Sequence, residues 1–137
     1  MNIYMRILLL FAMIFVHIFD DFHQGILAEM KQKKYWIENA PKGRPNIYKN
    51  DYIVCLFVHS FKWAFSIMFI PTMYFLVMTD FELELAPFVC ILAIFIFNLV
   101  VHFVVDDAKA NKYKINLVVD QFIHFLQILL TWIAMIQ

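Results

Sequence analysis

The sequence predicts an all-α fold, a four-helix transmembrane bundle, and three observations support it. The chain of 137 residues is 64% hydrophobic and 16% charged, whereas soluble domains are about half apolar and about a quarter charged. Four apolar stretches can each cross a hydrocarbon core of about 30 Å, which needs on the order of 20 residues. Two of the three connections are short, so neighbouring helices must be antiparallel within one integral-membrane domain. The predicted spans of this domain, 1–137, are 3–22, 52–79, 85–106 and 115–136.

The first two spans carry features that bear on how they cross the membrane. The first has a single Arg6 before its apolar core and continues into HIFDDFHQ, which contains no small-residue cleavage site of a signal peptide. It is therefore predicted to remain as a membrane helix. The second span is long and contains Pro71, which predicts a kink or a tilted course through the bilayer.

The connection after the first span contains a further predicted helix. In its first half, ILAEMKQKKYWI, apolar residues recur at helical spacing beside lysines, as in an amphipathic helix that lies on the membrane interface. The following PKGRPN is typical of irregular loop. An interfacial helix after the first span is therefore part of the predicted fold.

The distribution of basic residues predicts the orientation of the bundle. The second connection, TDFELE, is acidic, whereas the first and third are rich in lysine and arginine. Because basic residues favour cytoplasmic loops, these two connections are predicted to face the cytoplasm and both termini to face outward. The expected location is the inner (cytoplasmic) membrane of a cell, as a multi-pass protein. The basic residues are Lys31, Lys33, Lys34, Lys42, Arg44, Lys49, Lys109, Lys112 and Lys114.

Polar side chains form stripes along one face of each predicted span. Residues four and seven positions apart share a helix face, and three spans carry His, Asp and a third polar residue at this spacing. His precedes Asp on the first and third spans but follows it on the fourth, which runs in the opposite direction. The stripes therefore sort into a His layer and an Asp layer nearer the cytoplasm. They are His17, Asp21 and Gln24; His102, Asp106 and Lys109; Asp120, His124 and Gln127; and, more loosely, His59, Lys62 and Ser66.

Groups of this kind are costly inside a bilayer, where a charged side chain costs at least about 2.5–3.5 kcal/mol. Hydrogen bonds between helices, worth about 0.6 kcal/mol each, would explain any single His–Asp pair. Three pairs in register favour a functional site open to the cytoplasm. Imidazole and carboxylate bind zinc, manganese and iron, so the predicted cofactor is a divalent metal, zinc before the other two. The aspartates would support the histidines or bind a second ion. The predicted ligands are His17, Asp21, His59, His102 and His124.

Three further stripe residues are assigned to catalysis. A bound metal ion lowers the pKa of a water molecule and polarises a phosphoryl or acyl oxygen, which permits hydrolysis near the lipid surface. Lys109 and Lys62 suit an anionic substrate, unless they extend to the lipid headgroups. Three neighbours of the stripes are expected to point away from the site, to helix ends or to the lipid interface: Asp20, Asp107 and Trp63. The predicted catalytic residues are Asp106, Asp120 and Lys109.

Four segments, HIFDDFHQ, HSF, HFVVDDAK and DQFIH, resemble the motifs of the domain-of-unknown-function 3307 family, small phage and bacterial membrane proteins. The resemblance spans nearly the whole chain, and Gln24 departs from the pattern by one position. This family is similar to proteins described as membrane-bound metal-dependent hydrolases. The resemblance therefore implies a metal-dependent activity by analogy. The matching residues are His17, Asp21, Phe22, His59, His102, Phe103, Asp106, Lys109, Asp120, Gln121 and His124.

The predicted function is a membrane-embedded metal-dependent hydrolase that acts on a lipid-linked or phosphate-bearing substrate. Two alternatives stay open: a small transporter or proton and ion relay, and a non-enzymatic phage or bacterial membrane interaction protein. A relay needs polar residues through the full span, whereas the outer halves of the helices contain almost nothing ionisable except Arg6. The expected partners are the bilayer and the substrate. A homo-oligomer is compatible with the sequence, and a formal net charge of zero does not suggest nucleic acid.

Overall fold

A computed structural model of the chain describes residues 2–23, 25–44 and 46–136. The regular structure of these residues is entirely helical, which confirms the predicted all-α class. The six helices, in chain order, are α1 (Ile3–Phe22), α2 (Leu27–Met30), α3 (Lys33–Glu38), α4 (Asp51–Met78), α5 (Leu85–Ala110) and α6 (Leu117–Met135).

Four of these helices, α1, α4, α5 and α6, are long and apolar enough to cross a membrane. They begin and end close to the predicted spans, although α5 continues to Ala110. Helix α4 contains Pro71 and remains a single helix from Asp51 to Met78. The chain is therefore compatible with a multi-pass membrane protein.

The four long helices form one bundle. Helix α1 packs against α4 and α6, α5 also packs against α4 and α6, and α4 contacts α6 across the bundle. Among the described residues, thirteen polar or charged side chains are buried and only nine hydrophobic ones are, so the interior is more polar than apolar. Large apolar side chains, many of them Phe, cover the outside. This distribution suits a bundle surrounded by hydrocarbon, where internal polar groups must satisfy one another.

The apolar part of the interior closes one side of the buried histidines. Met13 lies about one turn before His17 on α1, and Ile128 lies about one turn after His124 on α6. Both belong to a single cluster of buried residues, which are Met13, Trp63, Ala64, Ile67 and Ile128. Apolar side chains therefore close the polar centre on the side that faces the middle of the bundle.

The segment between α1 and α4 folds back over the end of the bundle that carries the polar residues. Gly25, at φ 54°, has the left-handed conformation that glycine adopts most readily. Asn111, after α5, accepts a hydrogen bond from the Lys33 N–H at 2.7 Å and donates to the Lys31 carbonyl at 3.2 Å. In place of one amphipathic helix, the segment forms the two short helices α2 and α3. Its location on the membrane interface remains a prediction.

The turn between α5 and α6 fixes how these two helices approach each other. The N–H groups of Asn111 and Lys112 both donate to the Asp107 carbonyl at the end of α5. Asn116 then caps α6, because its side-chain oxygen accepts from the Val119 N–H at 2.9 Å. The end of α5 and the start of α6 therefore lie close together, and the polar faces of the two helices meet.

Candidate metal centre

Four histidines, one from each long helix, meet in the interior and have no exposed surface: His17, His59, His102 and His124. The ring of His102 stacks on that of His124 with a centroid distance of 4.2 Å, and Trp63 also stacks on His102 at 4.2 Å. The His17 and His124 rings are 5.8 Å apart. The predicted convergence of the His stripes inside one bundle is confirmed.

Three aspartates accompany the histidines. Asp106 and Asp120 have no exposed surface, and Asp21 is partly exposed. Each lies four residues from a buried His on its own helix, on the side of the connections at 23–50 and 111–116. Gln24, predicted to continue the stripe of α1, lies outside the described residues.

The two carboxylate oxygens of Asp106 face different histidines. Oδ2 lies 3.0 Å from His59 Nε2 and 3.9 Å from His102 Nε2, and these two nitrogens are 3.0 Å apart. Oδ1 lies 3.3 Å from His124 Nε2. Asp106 therefore connects histidines from α4, α5 and α6.

Two lysines neutralise the buried aspartates. Lys31 Nζ lies 2.6 Å from Asp106 Oδ2, and Lys109 Nζ lies 2.5 Å from Asp120 Oδ2. A buried carboxylate without such a partner would be strongly destabilising. The Lys31 side chain is only 8% exposed, although the sequence placed it in the predicted interfacial helix and gave it a role in orientation alone. Because Lys31 lies outside the long helices, no periodic pattern relates it to the stripes.

A hydrogen-bond chain with a defined direction positions the other two aspartates. The Trp63 indole N–H donates to His17 Nδ1 at 2.9 Å, and because an indole only donates, the His17 proton resides on Nε2. That N–H donates to Gln121 Oε1 at 3.1 Å. The Gln121 amide then donates to Asp21 Oδ2 at 2.6 Å and to Asp120 Oδ2 at 3.1 Å. Both ring nitrogens of His17 are thus occupied.

A second chain orients the ring of His124. Gln127 donates to the Asn98 carbonyl at 3.2 Å, so its Oε1 is the acceptor for His124 Nδ1 at 3.1 Å. Asn98 in turn donates to Thr131 Oγ1 at 2.7 Å. His124 Nε2 is left facing two carboxylates, with Asp120 Oδ1 at 3.5 Å and an oxygen of Asp106 as near neighbours. This arrangement requires a proton or a metal ion between the nitrogen and the oxygens.

Within the described part of the chain, three overlapping groups offer ligand atoms that lie within 4.8 Å of one another. His17, whose two nitrogens are already hydrogen-bonded, belongs to none of them, whereas the other four predicted ligands all take part. Two predicted catalytic residues, Asp106 and Asp120, also belong to these groups. The groups are Asp21, His59 and His102; His102, Asp106 and His124; and Asp21, Asp120 and His124.

Two aspartates expected to point away from the site are largely buried, and neither belongs to these three groups. Asp20 is 5% exposed and Asp107 is 9% exposed. Each carboxylate has a lysine partner at 2.6 Å, Lys62 for Asp20 and Lys112 for Asp107. The hydrogen bond with Asp107 raises the pKa of the Lys112 ammonium. The expectation that Trp63 faces the lipid interface was wrong, because its indole N–H has a buried partner in α1 and the side chain has no exposed surface.

A pocket of about 350 Å³ lies beside the aspartates. Lys31 and Lys109 line it, together with Asp21 and Gln121, so the pocket adjoins the candidate metal centre. Three of its lining residues are strongly exposed and largely apolar: Phe22, Tyr113 and Leu117. The pocket therefore combines two lysine side chains with exposed apolar groups.

No protein-family model matches the chain, and comparisons with curated proteins and with solved structures gave no match. Membership of the family that the motifs resemble remains a prediction.

Proposed function

We propose that the chain is a membrane-embedded, metal-dependent hydrolase. The observation that carries this proposal is the convergence of His59 Nε2, His102 Nε2 and Asp106 Oδ2, which are separated by 3.0, 3.0 and 3.9 Å. Atoms bound at 2.0–2.2 Å to a tetrahedral zinc ion lie roughly 3.3–3.6 Å apart. The three observed distances span this range, so small side-chain movements would place all three atoms around one ion.

Asp21 offers a fourth ligand, because its Oδ1 lies 3.7 Å from His59 Nε2. Two imidazoles and two carboxylates suit zinc, and they also suit manganese and iron. In this proposal His59 is a ligand, as the sequence pattern predicted, whereas His17 is not. His17 instead positions the carboxylates through Gln121.

Each residue around the ion has a distinct role in the proposed reaction. A bound divalent ion would activate water and polarise the bond to be cleaved. Asp120 Oδ1, which is buried without a hydrogen-bond partner, would accept the proton of that water. Lys109 holds the other oxygen of Asp120 and lines the pocket, where it would stabilise negative charge on the substrate.

The pocket favours a lipid-linked or phosphate-bearing substrate. Its two ammonium groups, from Lys31 and Lys109, suit an anion next to the ion, and its exposed apolar side chains suit a lipid at the membrane surface. The basic connections lie at this end of the bundle, so the pocket would open to the cytoplasm from the inner membrane, with both termini outward.

One observation favours a second candidate function, a proton or ion relay. The chain from His124 through Gln127 and Asn98 to Thr131 extends the polar centre towards the other end of the bundle. Transport requires that such a path continue through the full span. Proton flux into vesicles, without hydrolysis of any phosphate ester, would support the relay.

The test of the hydrolase is metal analysis of protein purified in detergent without added metal. We expect a bound divalent ion and release of phosphate from a lipid phosphate ester in mixed micelles. A chelator should abolish this release and zinc should restore it. His59→Ala should lose the activity and bind less divalent metal than the parent, whereas His23→Ala should match the parent in both, because His23 is exposed and outside the cluster. A parent protein that neither contains a divalent ion nor binds zinc contradicts the proposal.

A further inference from the structure

The carboxylate of Asp106 separates two sets of ligand atoms. On its Oδ2 side lie the Nε2 atoms of His59 and His102, and on its Oδ1 side lies Nε2 of His124. We infer that the centre binds two divalent cations, one on each side, with Asp106 as the bridging ligand. Carboxylates shared in this way occur in two-metal hydrolytic sites, whose ions are about 3.5–4 Å apart.

The second cation position has its own ligands, and with both ions bound Asp120 Oδ1 is a ligand, whereas in a centre with one ion it is the proton acceptor. His124 Nε2 lies 3.3 Å from Asp106 Oδ1 and 3.5 Å from Asp120 Oδ1. Asp21 joins Asp120 and His124 in one group of converging ligand atoms, and it also belongs to the group around His59. Asp21 therefore lies where it can contact either ion.

Apart from the contact between His124 Nε2 and Asp106 Oδ1, the hydrogen bonds around this second position leave the inward-facing atoms available to a cation. Asp120 binds Lys109 and Gln121 through Oδ2 alone, and Oδ1 is buried with no hydrogen-bond partner. His124 uses Nδ1 for Gln127, so only Nε2 faces the carboxylates. A metal ligand needs this arrangement. A neighbouring group orients the side chain through a hydrogen bond to one atom, and the other atom points at the ion.

The charges of the cluster also indicate its substrate. Three carboxylates, of Asp21, Asp106 and Asp120, face only two ammonium groups, of Lys31 and Lys109. Two divalent cations would turn this negative balance into an excess of three positive charges. A phosphate monoester with two negative charges offsets most of this excess, whereas a diester offsets only one. The two-cation centre therefore favours a terminal phosphate group over a phosphodiester.

This inference rests on the metal binding of the proposed function but not on hydrolysis, so the test measures stoichiometry. The full-length protein in detergent is stripped with chelator, reloaded with Mn²⁺ and analysed for bound metal and by electron paramagnetic resonance. We expect two ions per chain and the spectrum of an exchange-coupled pair. Asp120→Asn should retain one ion with the spectrum of isolated Mn²⁺, and His59→Gln should also retain one.

The control variant Asp80→Asn, at an exposed residue of the opposite connection, should bind two ions like the parent. Circular dichroism and the melting curve establish that each variant is folded. A parent that saturates at one ion, with an uncoupled spectrum, overturns the two-cation centre but leaves the hydrolase proposal intact. A parent that binds no ion overturns both.

Discussion

Trp63 and His17, 46 residues apart, are joined by a buried hydrogen bond of 2.9 Å in which the indole is the donor. This bond determines the tautomer of His17, which in turn determines the orientation of the Gln121 amide and hence which oxygens of Asp21 and Asp120 are occupied. A tryptophan that the sequence assigned to the lipid interface is therefore connected to the carboxylates of the candidate metal centre.

Trp63→Phe should weaken metal binding without unfolding the bundle. Phenylalanine retains a ring next to His102 but cannot donate to His17, so the chain to Gln121 loses its fixed direction. We expect about tenfold weaker binding, at the low end for residues that support metal ligands, and a loss of stability of about 1–2 kcal/mol. Zinc titration and chemical unfolding in detergent measure the two effects.

Trp132→Phe is the matched control, because the Trp132 indole donates to the Arg6 carbonyl at 2.7 Å, away from the cluster. Its stability should fall by a similar amount and its metal affinity should not change. Equal loss of zinc affinity in both variants would show that the effect of Trp63 is not transmitted through His17.

His59 and His17 should differ in their effect on metal content. His59→Gln removes a nitrogen 3.0 Å from both His102 Nε2 and Asp106 Oδ2, and we expect at least a hundredfold loss of zinc affinity. His17→Gln should lose about tenfold or less, since its effect passes through Gln121. Competition with a chromogenic chelator measures both. The reverse order would restore His17 as a ligand, as the sequence pattern suggested.

Lys31→Met should make the protein depend on metal for its stability. The methionine leaves Asp106 buried without its ammonium partner, and breaking a buried ion pair costs about 3–5 kcal/mol. A divalent cation would compensate for the missing charge. We expect a large fall in the melting temperature in chelator and recovery in zinc.

The control for this prediction is Lys34→Met, because Lys34 pairs with Glu38 at 3.7 Å on the surface, where the two side chains are 67% and 60% exposed. Such pairs contribute about 0–1 kcal/mol, so its melting temperature should hardly change. A Lys31→Met protein that melts like this control would mean that the ion pair with Asp106 contributes little.

Asp106→Asn should destabilise the metal-free protein more than Asp120→Asn. The first leaves the buried ammonium of Lys31 unpaired, whereas Lys109 is 24% exposed and can extend to solvent. From the sequence alone, loss of both carboxylates is expected to make the bundle more heat-stable, because two desolvated charges disappear. The two lysine partners reverse that expectation. Melting curves in chelator measure the stability of each variant. A double Asn variant that melts above the parent would contradict the structural argument.

Helical periodicity predicted much of this centre and also limited the prediction. The spacing of His102 and Asp106, and of Asp120 and His124, was enough to place them in the interior, because residues four apart share a helix face. The spacing did not show where each ring nitrogen points, so His17 and His59 could not be distinguished.

Residues outside the periodic stripes were misjudged or missed. Lys31 reaches Asp106 from a connection, through a tertiary contact that no local pattern reports. Trp63 has the residue type common at membrane interfaces, and only its contact with His17 reveals the buried role. Asn98 and Thr131, which extend the chain from Gln127, are single polar residues without a repeat.

The docked connection between α1 and α4 has a consequence for how the site can be studied. Asn111 holds its backbone, and Lys31 anchors it electrostatically to Asp106. A cation that binds Asp106 in place of Lys31 would remove the electrostatic contact. The hydrogen bonds of Asn111 would remain. Cleavage by trypsin at the neighbouring exposed Lys33 and Lys34 would then be faster in zinc than in chelator, so this surface segment would serve as a built-in reporter of occupancy that needs no substrate.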